Sequence, residues 1–290
     1  RRSSGADMAN IRIGWVNRSD AATLSGGDWV STLPLVNLQT RFGTEVARST
    51  TADETDTVID VDFGGTPRGI REVVLTDHNL SVGGYVTLTA GTTLGGTDVL
   101  NAAPVAVWET TPTRDLLWED PNWWTGTKST DEVEGYPLPF FFDCGANLTA
   151  RYWRIAISDE ANPAGYVQIG RLWMGPVWSP QRNAQYGAKL RWEPQAKEQR
   201  TDSGVLYFDE KPPIRAFAFS LTVSDDEAFG TLLDLARIAG NSRDVIVRPD
   251  ADDLARGYKR NIRGRLREAD WLEQAYYGFQ KTAYVIEEWR

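Results

Sequence analysis

The sequence has few of the side chains that carry catalytic and redox chemistry. Its 290 residues include one cysteine, Cys144, one histidine, His78, and two methionines. These counts exclude an intrachain disulfide, a thiolate metal cluster and the common Cys/His zinc sites. A catalytic triad would have to use His78, and no nucleophile motif accompanies that residue. The sequence therefore predicts no enzyme, and His78 and Cys144 are interpreted as structural residues.

Long apolar runs, targeting segments and phosphate-binding loops are also missing. No stretch approaches the roughly 20 apolar residues of a membrane-spanning helix, so no membrane insertion is expected. No secretory signal is visible, and residues 1–8 are predicted to be a disordered or non-native tail. No glycine-rich fingerprint for a nucleotide follows a strand. No cofactor is therefore predicted.

Basic charge is in short supply, whereas tryptophan is abundant. The formal net charge is −9, which argues against a general nucleic-acid binder, because duplex binding depends on phosphate neutralisation by Lys and Arg. The chain contains 12 tryptophans, more than a core ordinarily uses. We therefore expect some of them at an interface or a ligand-binding face, where rigid aromatic anchors are enriched.

Two acidic clusters are the candidates for a cation site. They comprise Asp53, Glu54 and Asp56, and Asp250, Asp252 and Asp253. Their oxygen atoms could bind calcium, but neither cluster has the spacing of an EF-hand. Solvated loops are the favoured interpretation, and a structural calcium stays open.

The first part of the chain has the pattern of an antiparallel β protein. Short segments with period two, such as TDTVIDVDFG and GGYVTLTAG, alternate with Gly, Asp, Asn and Pro turns over residues 9–178. Almost no helical periodicity occurs there. This pattern predicts a jelly-roll β-sandwich.

The second part differs in character. Residues 179–185 are predicted to be a linker, and residues 186–290 an α+β domain with one helix on a sheet. Ser224 and Glu227 form a predicted capping box, and Gly240 is the predicted stop. The helical spacing predicts that Phe229, Leu232, Leu233 and Ala236 form its buried stripe. On the preceding strand, Phe217, Phe219, Leu221 and Val223 should share one face.

Two stretches are candidate binding surfaces. Trp123 and Trp124 lie in the loop sequence DPNWWTG and are predicted to contact a protein partner or a sugar face, the alternative being a small core under the loop. The second stretch, RGYKRNIRGRLR, contains Arg256, Lys259, Arg260, Arg263, Arg265 and Arg267. In an acidic chain, this basic face is predicted to pair with acidic surfaces of neighbouring subunits.

The strand IDVDFG and the strand pair RYWRI and IGRLWM resemble a discoidin, or galactose-binding-like, jelly roll. In that fold the pair forms the last antiparallel strands, which implies core positions for Trp153, Ile155, Ile169 and Leu172. The second half, through RAFAFSLTVSDDEAFGTLLDLARIAG, DVIVRPD and VIEEW, resembles tail-tube and distal-tail proteins of long-tailed bacteriophages. The order of the two domains differs from the usual distal-tail plan, in which the tube-like domain comes first.

The resemblance implies a structural protein of the virion at the tail tip, assembled in the bacterial cytoplasm. It would form or decorate a symmetric ring, a hexamer or trimer, next to the tube, tape measure and hub proteins. An acidic lumen wall would repel passing DNA. The alternative is a carbohydrate-binding module that contacts host surface glycan through Trp123 and Trp124.

Overall fold

A computed structural model describes residues 10–111, 116–133, 135–136, 139–200, 206–253 and 256–289. It divides the chain into two compact units. One unit, called the sandwich unit, consists of residues 16–178 and 251–261. The other, called the α+β unit, contains residues 10–15, 179–250 and 262–289.

The strands and helices of both units are numbered in chain order. The strands are β1 (Arg12–Gly14), β2 (Thr23–Ser25), β3 (Ala47–Arg48), β4 (Val58–Asp62), β5 (Arg68–Thr76), β6 (Tyr85–Gly91), β7 (Leu100–Asn101), β8 (Val105–Ala106), β9 (Phe140–Ala150), β10 (Tyr152–Ser158), β11 (Gln168–Ile169), β12 (Arg171–Gly175), β13 (Lys189–Glu193), β14 (Lys197–Arg200), β15 (Leu206–Asp209), β16 (Ile214–Ser224), β17 (Asp244–Arg248), β18 (Ile262–Ala269), β19 (Glu273–Tyr276) and β20 (Phe279–Glu288). The α-helices are α1 (Thr130–Val133), α2 (Asp225–Glu227), α3 (Leu233–Ala239) and α4 (Gly257–Arg260), with 3-10 turns at Ser19–Ala21 and Leu35–Gln39 and a π-helical turn at Ala228–Leu232.

The sandwich unit consists of antiparallel sheets that enclose one core. The larger sheet has the order β2-β4-β10-β6-β7, with β8 also on β6, and the smaller has the order β12-β5-β9. The strands β3 and β11 form a separate pair. Alternate residues of each strand face inward, as period-two patterning requires. The mainly β fold class with an N-terminal β-sandwich is therefore confirmed.

The predicted core positions of the sandwich are also confirmed. Trp153, Ile155, Ile169 and Leu172 are all at most 1% exposed and belong to one apolar cluster. Trp153 and Ile155 lie on β10, which pairs with both β4 and β6 in the centre of the larger sheet. A central strand buries its inward side chains most completely, because both of its neighbours are present.

The α+β unit has a single seven-stranded antiparallel sheet. Its order is β1-β17-β18-β20-β16-β13, with β19 paired to β20. Phe217, Phe219, Leu221 and Val223 of β16 are buried on one face, as predicted. A helical segment runs without interruption from α2 through the π-helical turn to α3. The predicted α+β class of this half is confirmed.

The helix has the predicted ends. Ser224 Oγ accepts the backbone N–H of Glu227, and the Glu227 carboxylate accepts the backbone N–H of Ser224, so the capping box is present. Gly240 ends the helix with a φ of 49°, in the left-handed region that favours glycine. Both ends follow from local backbone chemistry, which explains why the sequence predicts them.

The predicted buried stripe of the helix is wrong. Only Leu232 of the predicted set is buried, together with Ala228, Leu235 and Ala239. Phe229 is 59% exposed and Leu233 47% exposed. Both stripes have helical spacing, so periodicity does not distinguish them. The packing of the helix on the sheet selects the stripe with the smaller residues.

The division into units differs from the sequence-based domain boundaries at three places. The strand β1 pairs with β17, so the stretch around Ile13 belongs to the α+β unit and not to the sandwich. The predicted linker at 179–185 is part of the same unit, where Asn183 Oδ1 accepts the backbone N–H of Ile11 at 2.9 Å. The segment 251–261 is part of the sandwich unit. Strand partners are set by tertiary packing, which local patterns do not encode. The predicted tail at residues 1–8 lies outside the described residues.

Candidate interaction surfaces

The loop that contains Trp123 and Trp124 is tied together by its own backbone. Residues 116–127 are called the Trp loop. Asn122 O accepts N–H groups from both Thr125 and Gly126, and Thr111 N donates to Gly126 O at 2.8 Å. Gly126 has a φ of 67°, and a Cβ there would lie 2.6 Å from Thr111 O. The loop therefore needs glycine at this position and has a defined conformation.

Three tryptophans cluster on the Trp loop. The ring centroids of Trp123 and Trp124 are 4.6 Å apart, and those of Trp118 and Trp123 are also 4.6 Å apart. Trp118 and Trp124 contact each other as well, at 5.7 Å, and all three pairs are edge-to-face. Trp118 is 69% exposed and Trp124 79% exposed, whereas Trp123 is half-buried. The rings form a preorganised aromatic surface.

The sequence predicts two members of this cluster, Trp123 and Trp124, as an interaction surface, but not Trp118. Trp118 lies five residues before Trp123, in the sequence LLWEDPNWW. Asp120 brings the segments together, because its carboxylate accepts the backbone N–H of Leu117 at 2.7 Å and its carbonyl accepts that of Trp123. An Asp-Pro pair after an aromatic residue is a turn signal that could have indicated this proximity.

The second candidate surface is a two-stranded ribbon. The strands β14 and β15 pair with each other, and with no other strand among the described residues. The hairpin β13–β16 pairs Glu193 with Ile214, and the ribbon continues the same two chain segments from Lys197 opposite Asp209 to Arg200 opposite Leu206. All eight ribbon residues are exposed. The ribbon is thus an extension of the hairpin without a sheet behind it.

The ribbon carries large apolar side chains in water. Leu206 is 45% exposed, Tyr207 61% and Phe208 58%. Pairing places Leu206 and Phe208 on the same side as Arg200 and Glu198, and Tyr207 on the other side. A two-stranded ribbon is only marginally stable in water, and this one has apolar groups on both sides. Contact with another surface would therefore stabilise the ribbon.

The residues of the predicted basic face are distributed over both units. Arg263, Arg265 and Arg267 lie on β18 in the α+β unit, whereas Lys259 and Arg260 lie on α4, and Arg256 just before it, in the sandwich unit. A run of basic residues in the sequence is divided because the chain passes from one unit to the other after Asn261. The role of these residues as one subunit-interface face stays a prediction.

Most of these charges also have partners within the chain. Arg265 contacts Glu287 at 2.9 Å, Arg267 contacts Glu193 at 2.8 Å, and Arg260 contacts Asp253 at 2.8 Å. Arg263 is buried and lies 3.6 Å from Asp244. Lys259 Nζ lies over the rings of Tyr136 and Tyr258. These contacts hold the strands and α4 in place, which is a different role from the intersubunit pairing that the sequence predicted.

The single histidine has no acid or nucleophile bonded to it among the described residues. His78 Nδ1 accepts the backbone N–H of Leu80 at 3.3 Å, and Nε2 is buried without a hydrogen-bond partner. Burial lowers the pKa of His78 to about 4. The imidazole is therefore neutral near pH 7, and its geometry is that of a residue that holds a strand end.

The single cysteine is similarly unreactive. Burial, and after it the charge of the neighbouring Asp143, raises the pKa of the Cys144 thiol to about 12. The thiolate is the reactive form of cysteine, so this side chain stays protonated near neutral pH. Its half-buried position on β9 fits the structural interpretation.

The acidic clusters do not form a cation site within the described part of the chain. No group of three or more His, Cys, Asp or Glu side chains converges there. Asp56 accepts the hydroxyl of Thr51 at 2.7 Å, and Asp253 pairs with Arg260. Among the same residues, no helix is long and apolar enough to cross a membrane.

No protein-family profile and no curated protein sequence matches this chain. Among solved structures, it is similar to CBM32-1 from a family 31 glycoside hydrolase of Clostridium perfringens, with 9% identity, a TM-score of 0.34 and coverage of 56% of this chain and 99% of that chain. It is also similar to an F-lectin (fucolectin) from the serum of Morone saxatilis, the striped bass, with 11% identity, a TM-score of 0.37 and coverage of 96% of this chain and 94% of that chain. Both scores are too low for either structure to indicate what this chain binds.

Proposed function

We propose that this chain is a structural protein of a bacteriophage tail tip, which assembles with further copies of itself through the α+β unit. The observation that carries the proposal is the exposed ribbon β14–β15. Leu206, Tyr207 and Phe208 are exposed to water on this ribbon. Their burial against another protein would lower the free energy of the system, because it removes apolar surface from water. The tail location rests on the sequence resemblance of this half to tail-tube and distal-tail proteins.

The amount of exposed apolar surface supports assembly. In the α+β unit the exposed large apolar residues are Tyr186, Leu190, Trp192, Leu206, Tyr207, Phe208, Phe229, Leu233, Trp271, Tyr276 and Tyr277. Aromatic side chains each present about 150–250 Å², so together these residues expose roughly 1,000–1,500 Å². A standard interface takes about 800 Å² from each partner. Because only about 55–60% of such an interface is non-polar, two of them take roughly 900–1,000 Å² of apolar surface from one subunit. The unit has that much, and a subunit of a ring makes two contacts.

The sheet edge is a second support. The strand β13 ends the sheet, and four of its five residues are exposed. An open edge offers unpaired backbone groups to another chain. When such a surface contacts a different surface of the next copy, the contact is heterologous, and heterologous contacts close into rings at a fixed rotation. Further tail-tip proteins, such as tube, tape measure and hub, are proposed as neighbours.

The test compares the oligomeric state of the full chain with that of a ribbon variant. Sedimentation velocity and electron microscopy of the wild type should show a closed oligomer. Phe208→Asp should shift the protein to monomers, because burial of the new carboxylate is unfavourable. Phe42→Asp is the matched control, since Phe42 is 65% exposed in the sandwich unit. A wild type that stays monomeric at tens of micromolar would contradict the proposal.

The Trp loop favours a second function, binding of a surface glycan. Trp118 and Trp124 together expose roughly 300–400 Å², which suits a ligand of a few sugar rings better than the about 800 Å² of a protein partner. Thr125 and Thr127 follow Trp124 in the same loop and are exposed, and their hydroxyl groups lie 2.8 Å apart, with hydrogen-bonding capacity left for a ligand. Because the loop is preorganised, binding would cost little conformational entropy.

Glycan-array and fluorescence binding measurements test this second function. Trp124→Ala should abolish binding, whereas Trp271→Ala should leave it unchanged, because Trp271 is 92% exposed in the α+β unit. If the folded wild type binds no surface polysaccharide, the glycan function fails and the structural one is unaffected.

A further inference from the structure

The helix of the α+β unit has a second apolar stripe that faces solvent. Its inner stripe is Ala228, Leu232, Leu235 and Ala239, all at most 2% exposed. Phe229, Leu233 and Ala236 form a parallel outer stripe, in which all three residues are exposed. An ordinary amphipathic helix has polar residues at such positions. The outer stripe is therefore not explained by the folding of the single chain.

The helix is also irregular where the outer stripe begins. The turn Ala228–Leu232 is π-helical, and Phe229 lies within it. A π-helical turn is a costly irregularity that is found frequently at functional sites. Here it carries the largest exposed side chain of the helix.

We infer that the outer stripe of one copy receives the ribbon β14–β15 of the next copy, on the side that carries Leu206 and Phe208. This inference rests on the proposed function, which it deepens by naming the surface that covers the ribbon. A contact between two different patches of the same chain is heterologous, as ring closure requires.

The dimensions of the two patches correspond. Leu206 and Phe208 are separated by about 7 Å along a strand. Phe229 and Ala236 are separated by about 10 Å along a helix. Both patches are apolar at the positions that would meet, and Arg200 and Glu198, which lie opposite Leu206 and Phe208, require charged partners beside the helix. The contact would cover the side of the ribbon that water now solvates.

The charges around the patches also correspond. Arg200 lies opposite Leu206 on the ribbon, on the same side. Asp226 is exposed at the start of the helix, one turn before Phe229. At the other end, Glu198 lies opposite Phe208, and Arg237 is exposed one turn after Leu233. Arg237 already pairs with Asp234 at 2.9 Å, so the Arg200–Asp226 pair is the one that sets the orientation, with Glu198 directed towards the Arg237 end of the helix.

Cysteine crosslinking between copies tests the contact directly. Full-length Phe208→Cys and Leu233→Cys proteins, one of them with a size tag, are mixed and treated with a short bis-maleimide. We expect a covalent heterodimer whose yield exceeds that of a Phe208→Cys and Asn241→Cys mixture at least tenfold. Asn241 is exposed two residues after the helix ends, which makes it a matched control. Each variant alone reports any background from Cys144.

Charge variants separate the inference from the proposed function. Arg200→Asp should raise the apparent dissociation constant of the oligomer about tenfold, and Asp226→Arg in the same chain should restore it. Leu233→Asp should dissociate the oligomer without a change in melting temperature. If Phe208→Asp dissociates the oligomer but Leu233→Asp does not, or if crosslinking is equal at positions 233 and 241, the ribbon docks elsewhere and the inference is overturned. If the wild type does not oligomerise, the proposed function itself fails.

Discussion

The sandwich unit and the α+β unit use their apolar side chains differently. In the sandwich unit, sheets cover one another, and the exposed large apolar residues are Val36, Phe42, Tyr85, Leu94, Leu117, Trp118 and Trp124, three of which lie in the Trp loop. Among its described residues, the smaller α+β unit exposes eleven, on the ribbon, the helix, the sheet edge and loops. A sheet with one helix covers less of its surface than a sandwich does. Among the described residues, the second unit therefore leaves more large apolar side chains exposed than the first unit does.

The largest expected effect compares one tryptophan from each unit. Trp153→Ala should lower the free energy of unfolding by about 3–5 kcal/mol, because it removes a fully buried indole and leaves a cavity. Trp192→Ala should cost less than about 1 kcal/mol in the monomer, since Trp192 is 41% exposed. Urea unfolding at a concentration below assembly measures both. Equal costs would remove the contrast between the units.

The next effect concerns a buried ion pair in the α+β unit. Arg215 and Glu288 are 1% and 3% exposed, and Arg215 Nε donates to Glu288 Oε1 at 3.0 Å. Arg215→Ala should cost about 3 kcal/mol, because it leaves a buried carboxylate unpaired, and Arg215→Met with Glu288→Leu should recover much of it. Arg237→Ala is the control, since the Arg237–Asp234 pair is exposed and should contribute less than about 0.5 kcal/mol. If Arg215→Ala costs no more than this control does, the pair does not stabilise the sheet.

Between about pH 4 and 6.5, the stability of the sandwich unit should depend on pH, because this unit contains the one histidine. The pKa of His78 is lowered to about 4, whereas an unfolded histidine titrates near 6.5. Between these two pKa values, His78 is protonated in the unfolded state but not in the folded state. Its contribution to the free energy of unfolding is therefore complete above pH 6.5 and is lost as the pH falls towards 4. The loss should be roughly 2–3 kcal/mol. His78→Asn should flatten that part of the stability profile, and an unchanged slope would contradict the assignment.

The smallest effect concerns the segment 251–261, which the second half of the sequence contributes to the sandwich unit. Tyr258 packs edge-to-face on Trp108 at 6.1 Å and on Tyr136 at 5.2 Å. Tyr258→Ala should cost about 1–2 kcal/mol through lost aromatic contacts. Tyr277→Ala, at a residue 98% exposed, should be neutral within about 0.5 kcal/mol. Thermal unfolding distinguishes the two, and a neutral Tyr258→Ala would indicate that the segment is not needed by the sandwich.

The sequence by itself determined the elements whose causes are local. The period-two strands, the capping box at Ser224 and the glycine stop at Gly240 follow from backbone geometry and side-chain alternation. The core positions on β10 were implied by the resemblance to a discoidin-like jelly roll. The exposed aromatic loop was also indicated, because two adjacent tryptophans beside Pro and Gly fit poorly into a core. His78 and Cys144 were interpreted as structural residues because no catalytic or metal-binding motif accompanies them in the sequence.

Tertiary structure alone decided which surfaces meet. It assigned β1 to the sheet of the second unit, divided the basic run between the units, and added Trp118 to the aromatic cluster. It also selected Leu235 and Ala239 over Phe229 and Leu233 as the inner stripe, since a helix with two apolar stripes is ambiguous until a sheet packs against one of them. These outcomes depend on contacts between residues far apart in the chain, and local periodicity is the same for either choice.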